Sequence, residues 1–376
     1  MKPILNVVFV INDFTVGGAQ QLIIDICRFI DNKKYKIYII SLFELKNKET
    51  MYGMIPGEIG VYRFNFKSFF DLKSWLDLRR ILHTIQPAVV ISGLFFSNTV
   101  TRILKPVVGY KVIATEHNTY IEKTSSQILI DKILSYCSYK IIAVSDTVKN
   151  FTAHQEGINQ EEFIVIENGI DLLKIKGIMR SYNKEKLKKE LGFFPNDKII
   201  INVGRLTDQK NQQLLIEAFG EFCETTNEGS YKLIILGQGS MYEKLNMLIG
   251  RLNLSQKVFL LGAKKDIGKY YFISDFFMST SKIEGFGLAH AEALAFGLPV
   301  ITTKTAGPDK MIIQGENGFF IEESDKKSVQ NALQNFLRAN YDELSHNASL
   351  SAEKYSIEKT KREYQELIDM AVESNK

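Results

Sequence analysis

Cysteine is scarce. The three present, Cys27, Cys137 and Cys223, are odd in number and far apart, with no Cys-x-x-Cys pair and no Cys/His spacing for zinc. That excludes a disulfide scaffold, implies no structural metal, and favours a reducing compartment over a secreted setting. With only 7 prolines and 25 glycines among 376 residues, collagen-like and low-complexity classes are excluded too. No stretch approaches the ~18 consecutive apolar residues that a membrane span needs, so any membrane association is expected to be peripheral. The opening MKPILNVVFVINDF has one lysine before a short apolar run, but Asn6 interrupts it and Asn12-Asp13 stand where small residues would mark a cleavage site. It reads as a buried first strand rather than a signal peptide. An excess of one charge sign is also missing. The net charge is +4, with 22 Lys+Arg against 17 Asp+Glu in residues 1–180 and 25 against 26 in the rest. This lean is too weak for a nucleic-acid partner, but it suits an anionic membrane surface or a phosphorylated substrate.

What is present is core-forming sequence: 45% hydrophobic and 24% charged residues, in a chain long enough for two domains at ~150 residues each. Strand-like apolar runs at 5–11, 36–42, 88–93, 111–116, 140–145 and 163–168 alternate with helix-like stretches. That is the pattern of an α/β lobe with a parallel sheet covered on both faces. A lysine-rich segment, KIKGIMRSYNKEKLKKELGFFPND, interrupts it, and a second α/β series follows at 198–204, 231–237, 257–262, 275–281 and 298–303. The expected division is therefore 1–180, 181–355, and a final segment 356–376. In that last segment Tyr364, Leu367 and Ile368 have helical spacing among charges, which predicts an amphipathic helix with one stripe to bury.

Open α/β sheets present ligands to the loops beyond the carboxyl ends of their strands. After the first strand, Gly17-Gly18 open a helix whose free amides and dipole suit a phosphate, although a plain turn would look the same. After the strand at 198–204, GRLTDQK sets Arg205 at the strand end and Lys210 at the start of the next helix. Two such cations would stabilise a diphosphate that gains charge as it departs, or would merely aid solubility. The longest pattern is SKIEGFGLAHAEALAFGLPVI at 281–301. There Glu284 lies on a glycine-rich turn and Glu292 inside the following helix, so both carboxylates can accept from sugar hydroxyls.

This string resembles the signature of the retaining family 4 glycosyltransferases of the GT-B fold, EGFGxxxxEAxAxGxPV, and reads here from Glu284 through Glu292 to Val300. The resemblance extends over GGAQ (17–20), TEHN (115–118), AVS (143–145), NGID (168–171), GRLxxxK (204–210), LGQG (236–239) and NGFF (317–320). It implies two Rossmann-like parallel-sheet domains facing each other across a cleft, the first binding the acceptor and the second a nucleoside-diphosphate sugar, with the last helix crossing back to the first domain. The expected donor is a UDP-sugar ahead of a GDP-sugar. The implied site has Gly17 and Gly18 offering amides to the diphosphate and Arg205 and Lys210 neutralising it, beside Gly204 and Gly237. His117 would stand by the transferred sugar. Glu292 would hold the ribose, Glu284 the sugar hydroxyls, and Gly285, Phe286, Gly287 and Leu288 the sugar and phosphate. Gly262, Ala263 and Lys264 would contact the base.

Three departures stand out. Glu167 replaces proline before NGID, Asn211 replaces glycine after Lys210, and AGPDK (306–310) replaces the usual Gly-Gly-acidic run beside the sugar pocket. No Asp-x-Asp triplet occurs anywhere, so the expected reaction needs no metal and no cofactor. Glu116, beside His117, reads as a strand-end hydrogen-bonding residue. The segment 61–80 mixes Arg63, Lys67, Lys73, Arg79 and Arg80 with Phe64, Phe66, Phe69, Phe70 and Trp75, which suits a membrane interface. Leu72, Trp75, Leu78 and Leu82 equally have the spacing of a helix core. The expectation is a cytoplasmic enzyme, at the inner face of the cell membrane if this segment docks there, with a glycan or lipid-linked acceptor. The rival readings are a non-catalytic partner or chaperone on the same fold, a nucleotide-sugar epimerase and a sugar phosphorylase. A dinucleotide-dependent dehydrogenase is disfavoured because GGAQ, not GxGxxG, follows the first strand.

Overall fold

The computed structural model describes residues 4–45, 49–226 and 230–374. The chain divides into two compact units, Met1–Gly169 with Ile357–Lys376, and Ile170–Ser356. The first unit holds seven strands, β1 (Leu5–Ile11), β2 (Tyr35–Ser41), β3 (Gly60–Arg63), β4 (Pro87–Gly93), β5 (Lys111–Glu116), β6 (Ser138–Ala143) and β7 (Phe163–Val165). They lie in the order 3-2-1-4-5-6-7, and every pairing is parallel. Val7–Ile11 of β1 and Val89–Ile91 of β4 are continuous buried apolar runs, as expected of strands covered on both faces. Strand β3 has no counterpart in the sequence reading. It is four residues long, partly exposed at the sheet edge and ends on Arg63, so neither alternation nor an apolar run marks it.

The second unit has six strands, β8 (Asp197–Val203), β9 (Ser230–Leu236), β10 (Val258–Gly262), β11 (Phe276–Ser279), β12 (Val300–Thr303) and β13 (Gly318–Ile321). Their order is 10-9-8-11-12-13, again wholly parallel. Each sheet reverses its strand order once, between β1 and β4 and between β8 and β11. Connections leave in opposite directions there, which opens a crevice at the carboxyl edge.

The division between units falls at Gly169/Ile170, earlier than the position near 180 expected from composition. The lysine-rich segment forms helices Leu172–Ser181 and Lys184–Glu190, both within the second unit. Of their apolar residues only Ile175 and Leu187 are fully buried, Ile178 packs against Gly268 of helix Gly268–Ile273, and Leu173 and Met179 are exposed.

The final helix, Ile357–Glu373, belongs to the first unit. Its buried stripe of Ile357, Tyr364, Leu367, Ile368 and Ala371 joins the core formed by β1, β4 and the helix Gly18–Phe29. Thr360 Oγ1 donates to the Glu167 carbonyl at 2.8 Å, and Lys359 lies 3.8 Å from the Glu167 carboxylate, so the glutamate in the proline position is tied to this helix. The sole tryptophan, Trp75, lies in the same unit and reports its unfolding. Ile368→Ala is expected to lower the stability of this unit by about 2–5 kcal/mol in denaturant unfolding followed by Trp75 fluorescence.

Candidate functional site

In the second unit the loops after β8, β9 and β10 are fastened to one another. Gly204 N–H donates to the Leu236 carbonyl and Gly237 N–H to the Gly262 carbonyl, both at 2.9 Å. Gly237 adopts φ +149°, and a Cβ there would stand 1.8 Å from the Gly204 carbonyl oxygen, so only glycine allows the two loops this close. Ala263 and Lys264 follow directly after β10 and are partly buried.

The loops after β8 and β11, on either side of the strand-order reversal, are laced together more tightly. Lys282 N–H donates to the Gln209 carbonyl (2.8 Å), Gln209 Nε2 to the Ile283 carbonyl (3.0 Å) and Thr280 Oγ1 to the Asn211 carbonyl (2.8 Å). Lys210 Nζ meets Glu284 Oε1 at 2.5 Å. Lys210 does not open the next helix, as the sequence suggested. It ends a 3-10 turn, Asp208–Lys210, and the helix begins at Gln212. Between them Asn211 takes a left-handed conformation (φ 50°), which asparagine tolerates better than other side chains, so its substitution for glycine keeps the turn. Burial pushes the Glu284 carboxyl up, but the Lys210 ammonium and hydrogen bonds from Lys210 and Ser281 outweigh it and hold the group below the usual carboxylate range. Arg205 is exposed, and no hydrogen bond or ion pair engages its guanidinium among the described residues.

The glycine-rich turn after Glu284 leads into helix Leu288–Ala295, capped by Gly287 with φ +89°. The amides of Phe286, Gly287 and Leu288 have no main-chain acceptor among the described residues, and the helix dipole adds to their pull on an anion. Gly285 sits next to the Glu284 carbonyl, which accepts from Gly307 N–H at 3.4 Å, so AGPDK rests on this turn. Glu292 lies on the helix and accepts from the Tyr271 hydroxyl at Oε2 (3.1 Å). Tyr271 is wholly buried and stacks on Phe296 with ring centroids 5.4 Å apart. Burial and the adjacent carboxylate hold its phenol protonated. Tyr271 and Gln209 are site residues the sequence reading missed, since nothing in spacing links Tyr271 to Glu292 or Gln209 to Ile283. Asn202 Oδ1, Thr207 Oγ1, Gln212 Oε1 and Thr305 Oγ1, all near these carboxyl-end loops, are buried without a protein partner, which leaves them to water or a ligand.

In the first unit Gly17 and Gly18 stand at the N-terminus of helix Gly18–Phe29, after β1 at the strand-order reversal. Gly17 is extended (φ −174°), a conformation that does not itself demand glycine. His117 follows β5 directly. A Cβ on Gly93, the last residue of β4, would lie 2.8 Å from His117 Nε2, so the imidazole occupies the space that a side chain on β4 would take. Burial pushes this imidazole down to about 4, so it is neutral at physiological pH.

The segment 61–80 departs from the expected core spacing. Helix Leu72–Ile85 buries Leu78, Leu82 and Ile85, whereas Leu72 is 75% and Phe70 85% exposed. Trp75 Nε1 donates to the Phe69 carbonyl at 2.7 Å. Among the described residues no helix is long and apolar enough to cross a membrane.

Comparison with known proteins adds a family. Residues 16–173 match the sequence family "Glycosyltransferase Family 4", and residues 183–355 match "Glycosyl transferases group 1". The UDP-Gal:alpha-D-GlcNAc-diphosphoundecaprenol alpha-1,3-galactosyltransferase of Escherichia coli is 28% identical over 332 residues, 85% of this chain and 84% of its own. The capsular polysaccharide biosynthesis glycosyltransferase CapM of Staphylococcus aureus is 25% identical over 341 residues, 86% of each chain. Among solved structures, Anabaena HepE in complex with UDP and glucose superimposes with a TM-score of 0.81 at 19% identity, over 97% of this chain and all of that one.

A carboxyl held below its usual range binds its proton more weakly in the folded than in the unfolded state. The stability it contributes is therefore complete above about 4.5 and lost as pH falls through the lower folded value. Lys210→Gln is expected to flatten this part of the acid limb in unfolding curves measured between pH 6 and 3.

Proposed function

We propose, for a chain that belongs to the family 4 glycosyltransferases of the GT-B fold, that it moves a sugar with retention from a UDP-sugar to a glycan or lipid-linked acceptor in cell-surface glycoconjugate synthesis, without a metal. The observation that carries the reading is the Lys210–Glu284 ion pair over the strand-order reversal of the second unit. An ammonium has three protons to donate. One is committed to Glu284, which fixes the group in place, and the others are available to a diphosphate beside Arg205 and the free amides at Phe286 to Leu288. Glu284 keeps its second oxygen for sugar hydroxyls, and Glu292, steadied by Tyr271, accepts from the ribose. Gly204, Gly237, Gly262, Ala263 and Lys264 line the base side. Within the first unit, the groups proposed to meet substrate are the amides of Gly17 and Gly18 at the start of helix Gly18–Phe29 and the neutral imidazole of His117.

The donor's anomeric carbon–oxygen bond breaks as the acceptor oxygen bonds to the same face. The acceptor's hydroxyl proton passes to the departing phosphate oxygen, so no separate base is required. The charge that develops on that oxygen is what Lys210 and Arg205 stabilise. A charged pair held in a mostly buried site also favours catalysis over a decayed, non-catalytic descendant, which would have no use for it.

The E. coli relative's name specifies a diphosphoundecaprenol-linked acceptor, and the first unit here has a surface suited to such a partner. Phe69, Phe70, Leu72 and Leu76 are exposed beside Lys67, Lys73, Arg79 and Arg80. We assign this surface to anionic lipid at the inner face of the cell membrane, with the enzyme otherwise cytoplasmic.

UDP is expected to raise the melting temperature more than GDP does at equal concentration, because a ligand of the folded state alone stabilises it. With the best UDP-sugar from such a screen, Lys210→Ala should lower turnover ~10²- to 10³-fold. Turnover within a few-fold of the parent would contradict the assignment.

A further inference from the structure

The first unit buries five charged side chains that the site above does not use. Lys123 Nζ stands 2.5 Å from Glu156 Oε1, 2.8 Å from Asp131 Oδ2 and 3.7 Å from Glu116 Oε2. Arg102 meets Asp131 Oδ1 at 3.0 Å and Ser138 Oγ at 2.9 Å. Asn98 Nδ2 donates to Glu116 Oε1 at 3.2 Å. None of the five charged side chains is more than 6% exposed. Removing such groups from water is costly, and apolar residues of similar size often serve stability as well or better, so stability alone does not account for the cluster.

Placement does. Arg102 lies on helix Phe95–Val108, Glu116 at the end of β5, Asp131 on helix Ser125–Ser135 and Glu156 at the end of helix Asp146–Glu156. Lys123 alone comes from a loop, residues 117–124, whose first residue is His117. The same loop is held midway, where Gln155 Nε2 donates to the Tyr120 carbonyl at 3.1 Å, and the Lys123 ammonium lies 5.5 Å from the centre of the Tyr120 ring.

We propose that Lys123 is a positioning residue: by drawing Glu116, Asp131 and Glu156 around one ammonium, it clamps the loop 117–124 onto three elements and so holds the His117 imidazole against Gly93. The proposal rests on the reading that His117 contacts the transferred sugar, but its test does not. Burial pushes the ammonium down, yet the three carboxylates outweigh it and hold Lys123 above the usual lysine range, so the clamp stays charged. Two cations face three carboxylates. Burial raises both Glu116 and Glu156 above the usual carboxylate range, as expected where the buried carboxylates outnumber the cations.

The test is the imidazole titration of His117 in the full chain, followed by NMR with labelled histidine. Its signal among the five histidines is assigned by its loss in His117→Asn. In the parent the ring is expected to titrate near 4. In Lys123→Gln it is expected to move up towards the ~6.5 of a solvated histidine, because the released loop lets water reach it. In Glu156→Gln, which keeps an acceptor for Lys123, it should stay near 4. If Lys123→Gln does not fold, the triple variant Lys123→Met/Glu156→Met/Glu116→Gln removes the clamp without stranding a charge, since Asp131 keeps Arg102. The same upward move is expected there. A His117 titration unchanged in a folded variant that lacks Lys123 would overturn the proposal, even if its melting temperature fell. The sugar-contact reading fails separately, if His117→Asn leaves turnover intact.

Discussion

The ion pair between Lys210 and Glu284 depends on a topological constraint and in turn organises what surrounds it. A parallel sheet puts all its carboxyl ends on one edge, and only where strand order reverses do two neighbouring loops diverge and leave room for a ligand. In the second unit that place lies between β8 and β11, and the pair spans it. A lysine and a carboxylate joined across the opening give a fixed cation with spare protons and a fixed acceptor with a spare oxygen. The backbone bond from Lys282 N–H to the Gln209 carbonyl, with the Gln209 side-chain amide donating to the Ile283 carbonyl, holds the two loops in register, so the pair does not depend on its own side-chain reach alone.

Rigidity recurs wherever the site needs a polar group in place. Glu292 is steadied by a phenol that is itself locked by stacking, and Gly237 lets two backbone turns touch where any side chain would separate them. In the first unit the imidazole of His117 fills the space above Gly93, and the loop carrying it ends on a buried ammonium. Each case has the same logic. A group proposed to meet substrate is held by a second group that is not, an arrangement that lowers the entropy lost on binding.

What could be read from the sequence follows from range. Apolar runs marked eleven of the thirteen strands among the described residues, and the stripe through Tyr364, Leu367 and Ile368 marked the returning helix, because these are local patterns. The string from Glu284 to Val300 was legible for the same reason. The partners of those residues were not. Tyr271 with Glu292 and Lys123 with Glu156 join positions about 20 and 30 residues apart on different elements, and no period in the chain connects them. Strand β3 escaped because a short edge strand needs neither alternation nor an apolar run. The unit boundary was misplaced because charged helices with only three buried or packed apolar residues resemble a linker in composition.

The central claim is that protein cations, not a bound divalent ion, hold the donor's diphosphate. Calorimetric titration of UDP into the enzyme in the presence of EDTA tests it most directly. The account predicts that UDP affinity survives chelation and falls at least tenfold in Lys210→Gln. Affinity that disappears with EDTA and returns with magnesium or manganese, while Lys210→Gln binds as the parent does, would contradict it.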